Sequence, residues 1–327
     1  MTLQKVAKLA KVSVSTASKA LSDSKDVSEE TRVLVHKAAE ELGYFSTMKK
    51  RRYESRRHSS STIGIICPEI ISVHYSGIVT ALCRQIDELG GKASVFITEF
   101  SKEKLKSIFE RCILENEIDA VISLDGFPDE VNFAKFPLPT VFFGASDGKY
   151  CVNSDIAHGI FKAVRHLFEM GHKKIAFAGE PLTVSKQKAF KQAMTEIVGG
   201  FEEELIFCEA GRFEESGREV GVKICDMKKE MRPTAVICGY DEIAYGLMRA
   251  LRENDLRIPD DLSVIGINDI PTSRFLETPL TSIRSDSEKA VSAAMEILSD
   301  LLSGKEREKT VVTVDCELVI RSSVAKI

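Results

Sequence analysis

Residues 3–21 read LQKVAKLAKVSVSTASKAL. The stretch is too polar for a buried helix and too regular for a loop. Thr2 is placed to cap a first short helix, in which Val6, Ala7, Leu9 and Ala10 recur at helical spacing. Ser13 is placed to cap a second helix, whose inward stripe is Ala17, Ala20 and Leu21. Only Lys11 and Val12 separate the two, and so short a turn throws the helices across each other; the small Ala7 and Ala17 permit a close crossing. The spacing predicts a helix-turn-helix. The outward face of the second helix then carries Val14, Ser15, Ser18, Lys19 and Ser22. Short polar side chains let such a helix lie deep in a major groove, where Lys19 reaches guanine acceptors, Ser15 a base edge and Val14 a thymine methyl. A small helical bundle used for protein contacts fits the same polar face, and these residues alone leave both readings open.

Outward from this stretch, Ser28 is placed to cap a third helix, EETRVLVHKAAEEL, with Gly43 closing it and Leu34, Val35, Ala38 and Leu42 as its apolar stripe. Next comes STMKKRRYESRRHSSS (46–61), with six Lys/Arg in the nine residues from Lys49 to Arg57. By itself it reads as a solvated basic tether able to bind phosphates. Charge is uneven along the 327 residues: 1–60 carry 13 Lys/Arg against 7 Asp/Glu, so a head of +6 precedes a body of −10. A polyanion partner is expected for the head alone.

From residue 62 onward, short apolar runs (TIGIIC, KASVFI, IDAVISL, PTVFF, KKIAFAG, ELIFCE, TAVICG, LSVIGI, KTVVTV) alternate with amphipathic stretches such as AHGIFKAVRHLFEMGH and EIAYGLMRALREN. That alternation predicts parallel sheets covered by helices, with any ligand beyond the carboxyl ends of the strands. No catalytic constellation is present: there is neither a G-x-S-x-G elbow nor a G-x-x-x-x-G-K-[ST] loop. The eight cysteines, at 67, 83, 112, 151, 208, 225, 238 and 316, lack metal-ligand spacing and read as buried thiols of a reducing compartment. His166 and His172 are six apart, share no helix face and read as surface or supporting groups. No cofactor and no metal are expected. No apolar signal segment and no run of about 18 apolar residues occur, so a cytoplasmic protein is expected.

The segments TLQKVAKLAKVSVSTASKALS, VSEETRVLVHKAAEELGY, PTAVICGYDEIAYGLMRALRE, IPDDLSVIGIND, PLTSIR and ELVIRSS, in this order over nearly the whole chain, resemble the LacI/GalR family of bacterial transcription regulators. The resemblance implies a helix-turn-helix headpiece (1–45), a hinge linker (46–61) and a periplasmic-binding-protein-like α/β body (62–327). The body would comprise two parallel-sheet subdomains, about 62–158 with 285–313 and about 159–284 with 314–327. It further implies base reading by Val14, Ser15 and Lys19, and phosphate contacts by Thr16, Ser18 and Ser22. Lys49, Lys50, Arg51, Arg52 and Tyr53 would form the minor-groove hinge, and a small effector would bind between the subdomains.

Several residues depart from the family pattern. Lys11 stands where a glycine is usual, at a cost on the order of 1 kcal/mol if the turn needs positive φ. Lys19 replaces the usual arginine, turning a bidentate guanine contact into a single one. Tyr53 stands at the wedging leucine, and the paired Lys49 and Lys50 would repel their symmetry mates, so strong backbone contact with a weakened kink is expected. Among cleft positions, Lys186 stands for an arginine, Tyr240 for an asparagine, Asn268 for an aspartate and His158 for another aspartate; His74 and Tyr75 stand where a pair of aromatics is common. Three readings stay open: an aromatic or less polar ligand, a sugar or nucleoside held by different contacts, or a protein co-regulator with no small ligand. Tyr75 and Tyr240 can equally be packing, and Lys186 can be solvated.

A repressor is expected, acting as a homodimer on a palindromic operator, because one headpiece offers little contact area and the chain ends at ELVIRSSVAKI without a leucine repeat. The alternatives are a solute-binding or sugar-metabolising protein of the same body fold, or a nonspecific architectural DNA binder.

Overall fold

Small side chains set the geometry of the first 44 residues. The computed structural model describes residues 2–21, 26–42, 44, 61–114, 118–125, 138–144, 149–305 and 308–327, without the side chains of 40 and 110–114. The expectations placed on Ser22, Gly43, Lys49, Lys50, Arg51, Arg52 and Tyr53 lie outside these residues. Helices α1 (Leu3–Leu9), α2 (Val14–Leu21) and α3 (Glu29–Glu41) enclose a core in which Val6, Ala7, Ala17, Ala20, Val35, Ala38 and Ala39 are buried. Helix α1 ends when Val12 N–H donates to the Ala7 carbonyl (3.0 Å) and Lys11 N–H to that of Lys8 (3.3 Å). That pair of bonds is a Schellman closure, and it requires a left-handed residue at Lys11, whose φ is 54°. Lysine therefore adopts the conformation that favours glycine, at a cost of about 1 kcal/mol.

Three details of the headpiece differ from the expectation. The turn holds Ala10 to Ser13, not two residues, because Ala10 closes α1 while Ser13 Oγ accepts Thr16 N–H at 3.0 Å to cap α2. Thr2 has the extended backbone of a cap, but its side chain accepts nothing; its carbonyl takes Lys5 and Val6 N–H instead. Leu34 is 55% exposed. The inward stripe of α3 runs from Val35 through Ala38 and Ala39 to Leu42, and Leu34 falls one helical step outside it.

The rest of the chain forms two compact units, Met1–Asn153 with Val291–Val312, and Ser154–Ala290 with Thr313–Ile327. Headpiece apart, unit one contains β1 (Thr62–Cys67), α4 (Val73–Glu88), β2 (Lys92–Ile97), α5 (Lys102–Leu114), β3 (Ala120–Ser123), β4 (Thr140–Phe143) and β5 (Tyr150–Ser154). Unit two contains α6 (Ile156–Glu169), β6 (Ile175–Gly179), α7 (Val184–Ile197), β7 (Ile206–Cys208), α8 (Glu214–Asp226), β8 (Ala235–Cys238), α9 (Asp241–Glu253), β9 (Ser263–Ile267) and β10 (Thr281–Ser285). Helix α10 (Ser287–Leu302) and β11 (Thr310–Val314) span the crossings, and β12 (Cys316–Val319) returns to unit two. The sheet orders are β11-β5-β4-β3-β1-β2 and β12-β10-β9-β8-β6-β7. Pairing from β5 through to β2 is parallel, as it is from β10 through to β7, and β12 joins β10 antiparallel. The expected α/β architecture of two mostly parallel sheets behind a helical head is therefore present.

Covering both faces explains why the strand runs are apolar throughout. In β6, Ile175 and Phe177 pack into one cluster with Phe190 of α7, while Ala176 and Ala178 pack into another with Val220 of α8 and Leu247 of α9. Cys67, Cys151, Cys238 and Cys316 are buried as expected, but Cys208 is exposed because β7 is the edge strand. His172 is buried and structural, not at the surface, with its ring nitrogens 3.0 Å from Thr234 Oγ1 and from the Ala325 carbonyl. Among the described residues, no helix is long and apolar enough to cross a membrane.

Helices α8 and α9 cross in near-backbone contact. A Cβ on Gly217 would stand 1.9 Å from the Ile243 carbonyl oxygen, and one on Gly246 1.9 Å from that of Glu214. Gly246→Ala is expected to destabilise the protein by about 3 kcal/mol, because the clash is with backbone that cannot turn aside. Urea unfolding of the two proteins checks this.

Candidate functional site

Two surfaces collect the chemistry. On the headpiece, Val14 (44% exposed), Ser15, Ser18 and Lys19 lie on the outer side of α2, opposite the buried Ala17 and Ala20. Thr16 is half-buried, and its Oγ1 lies 2.7 Å from Ser13 Oγ. Ser13 already accepts the Thr16 N–H; if its hydroxyl donates to Thr16, the Thr16 proton is left to point outward. Lys19 Nζ sits 3.0 Å from the exposed Asp26 carboxylate, an ion pair that solvent keeps weak and a phosphate or base can replace.

The second surface lies past the carboxyl ends of the neighbouring strands β6, β8 and β9 of unit two. Each strand ends in an abrupt change from apolar to charged or aromatic: Glu180 after β6, Tyr240-Asp241-Glu242 after β8, Asn268-Asp269 after β9. Glu180 is fully buried; its Oε2 accepts Phe213 N–H at 2.9 Å, and Arg212 Nε stands 3.4 Å from its Oε1. Lys186, in the first turn of α7, donates to the Gly239 carbonyl at 2.8 Å and lies 3.8 Å over the Tyr240 ring. Tyr240 in turn meets Phe213, ring centroids 6.0 Å apart. Asp241 is fully buried, accepting from Ile270 N–H (2.7 Å), Ser273 Oγ (2.8 Å) and Ser282 Oγ (2.6 Å). Asp269 pairs with Arg284 (2.6 Å) and Arg321 (2.7 Å).

Burial governs the protonation of this edge. It pulls Lys186 down to about 7, against the pull of Glu242, Asp241 and Glu180 in the other direction. It pushes Glu242 up to about 7, aided by Asp241 and Glu214 and opposed by its own backbone N–H and by Lys186. Asp241 is also raised by burial, in spite of its three donors.

Of the expected cleft residues, the structure joins Lys186 to Tyr240, and the lysine is engaged with a carbonyl and a ring rather than solvated. Asn268 follows β9 with φ 107°, its N–H donating to the Ile283 carbonyl. His158 instead opens α6, with Nδ1 3.6 Å from Asp315 and 3.9 Å from Asp155. His74 and Tyr75 belong to unit one, in the first turn of α4, edge to face at 5.6 Å. Sequence reading missed Glu180, Arg212, Phe213, Asp241, Glu242 and Asp269. A usable signal was present in the acids that stand within three residues of the ends of AFAG, VIC and IGI.

Residues 2–46 match the family model described as bacterial regulatory proteins, lacI family, and 164–324 match that of a periplasmic binding protein-like domain. The chain is 30% identical over 340 residues to the HTH-type transcriptional repressor PurR of Vibrio parahaemolyticus, covering 100% of this chain and 99% of that protein. It is 30% identical over 334 residues to the repressor CytR of Escherichia coli, covering 98% and 96%. Among solved structures, the lac repressor dimer bound to operator and an anti-inducer aligns with a TM-score of 0.73 and 25% identity, over 99% of each chain. The regulator CelR in complex with cellobiose aligns with a TM-score of 0.71 at 23% identity, over 99% of each chain.

The raised carboxyl of Glu242 has a stability consequence. Between its ordinary value of 4.5 and about 7, the folded chain holds a proton that the unfolded chain has released, so its contribution to stability falls as pH rises through that window. Glu242→Gln, which does not titrate, is expected to gain on the parent by on the order of 1 kcal/mol across it. Urea midpoints of both proteins at the two ends of the window provide the comparison.

Proposed function

Because this chain belongs to the lacI family of bacterial regulatory proteins, we propose that it is a transcriptional repressor that binds a palindromic operator as a homodimer in the cytoplasm, its affinity set by a ligand held in the body. The observation that carries this reading is the face of α2: Val14, Ser15 and Lys19 project outward from a helix whose other side is packed by Ala17 and Ala20. A helix this short and slender fits a major groove, with Lys19 directed to guanine acceptors, Ser15 to a base edge and Val14 to a thymine methyl. Thr16, Ser18 and Ser22 serve phosphates, and the basic residues from Lys49 to Arg52, with Tyr53, follow the backbone into the minor groove. Lys19 has one ammonium where a guanidinium would make two bonds, so discrimination at that base is looser.

The charged edge of unit two is the proposed ligand site, a reading supported by the meeting of Lys186 and Tyr240 there. Ligand binding changes operator affinity only by the difference in its affinity for the DNA-binding and released states. Three chain crossings connect the units and are the covalent route for that coupling.

Replacing Val14, Ser15 and Lys19 together by alanine in the full chain is expected to weaken binding to its operator by about 100-fold or more, since each base contact is worth about 1 kcal/mol or more. Wild-type binding should also fall by about 10³-fold between about 50 and 200 mM salt, because phosphate contacts release counterions. Fluorescence anisotropy with labelled duplex measures both. Unchanged affinity in the triple variant would remove α2 as the reading element.

A further inference from the structure

Two buried carboxylate oxygens at the edge of unit two lack a hydrogen-bond donor among the described residues. Glu242 is 6% exposed, and among the described residues its Oε2 meets no hydrogen-bond donor. Glu180 is fully buried and its Oε1 is likewise without a hydrogen bond, Arg212 Nε standing at ion-pair distance only. A buried carboxylate oxygen left in this condition carries its desolvation cost uncompensated, and a donor delivered to it is correspondingly favoured. Beside these carboxylates stand two aromatic faces, and each already holds a cation of the chain itself. The Lys186 ammonium is 3.8 Å from the Tyr240 centroid, and the Arg212 guanidinium is 4.4 Å from that of Phe213. Ring faces attract cations through their quadrupole, most strongly where water is excluded.

The charges facing Lys186 come from two places: Glu180 after β6, and Asp241 and Glu242 at the start of α9. Glu214 adds to the field at Glu242, and Asp269 to that at Asp241. Arg212 offsets Glu180, while Asp269 is matched by Arg284 and Arg321. Among the described residues, Lys186 is thus the lysine that faces these three acids, and it leans on a neutral carbonyl and a ring.

We infer that this edge recognises a ligand through an organic ammonium group, with Lys186 as the chain's own occupant of the place that the ligand's cation takes. The inference rests on the reading above that the body holds a ligand, and names its chemical class. The incoming ammonium donates to the Gly239 carbonyl and lies against Tyr240, in the field of Glu242, Asp241 and Glu180. Lys186 leaves the ring or gives up its proton to water, so the charge at the edge stays balanced. Burial already holds Lys186 down to about 7 and Glu242 up to about 7, so both lose a proton over the same range and both losses favour a bound cation.

The test uses the full-length protein with phenethylamine hydrochloride and its uncharged isostere phenethyl alcohol, and with glucose and adenosine as uncharged comparisons, followed by calorimetry and thermal shift. The amine is expected to bind at least about tenfold more tightly than the alcohol, as a desolvated cation–ring contact implies. Its affinity is expected to rise by up to about 100-fold from about pH 6 to about pH 8, about tenfold for each of the two released protons. Glu242→Gln should lose the preference for the amine; Lys186→Met should bind the amine more tightly and keep only the part of the pH dependence that Glu242 supplies. Equal binding of amine and alcohol, protection by glucose or adenosine but not by the amine, or a pH profile unchanged in Lys186→Met each overturns the inference. Operator binding measured on the same sample separates the outcomes: retained DNA binding with no amine preference sinks the ligand class alone, whereas absent DNA binding sinks the repressor reading.

Discussion

One carboxylate with no exposed surface organises the functional edge of the body. Asp241 opens α9 and accepts from the turn after β9 through Ile270 N–H, from the following 3-10 turn through Ser273, and from β10 through Ser282. Three neighbouring segments, 29 to 41 residues along the chain from Asp241, are thereby fixed to one point. The neighbours of Asp241 in the chain inherit that position: Tyr240 is turned toward Lys186, and Glu242 is buried beside it. Buried charges are weak evidence of net stability, since desolvation offsets much of their attraction. What they secure here is one arrangement of the loops, because any other would leave Asp241 or Asp269 buried without its partners.

The headpiece solves a different packing problem by similar means. Its core is filled by alanines and valines, so the helices approach closely and the second can remain slender on its outer side. Lys11 is strained in the left-handed conformation, which shows how firmly the Schellman closure fixes the crossing of α1 and α2. Both in the headpiece and at the contact of Gly217 with Gly246's helix, removal of side chains on the inside sets what the outside presents.

Much of this was legible in the sequence, for definite reasons. All nine apolar runs are strands; the inner ones, such as β1, β3, β6, β8 and β9, are covered on both faces and leave a near-continuous hydrophobic signal, whereas the edge strands β2, β7 and β11 are partly exposed. Strands β5, β10 and β12 escaped because YCVNS, TSIRS and CELV mix polar residues into the crossing side of the sheets. The two short helices were readable from Ser13 and the alanine spacing, whereas Leu34 was misplaced by one position, a step of about 100° that a periodicity cannot resolve in a helix with so few apolar residues. At the charged edge of unit two, Lys186 and Tyr240 were expected from the family pattern, and the structure brings the two together. The buried acids were not, because the partners of Asp241 lie 29 to 41 residues away and only the fold brings them together.

The proposed function requires α2 to read bases in two copies held in register. Selection of duplexes by the full-length protein from a random pool, followed by sequencing of the bound fraction, tests it most directly. The account predicts enrichment of one two-fold symmetric sequence. A bound fraction with no symmetric motif, or with the composition of the starting pool, would contradict it.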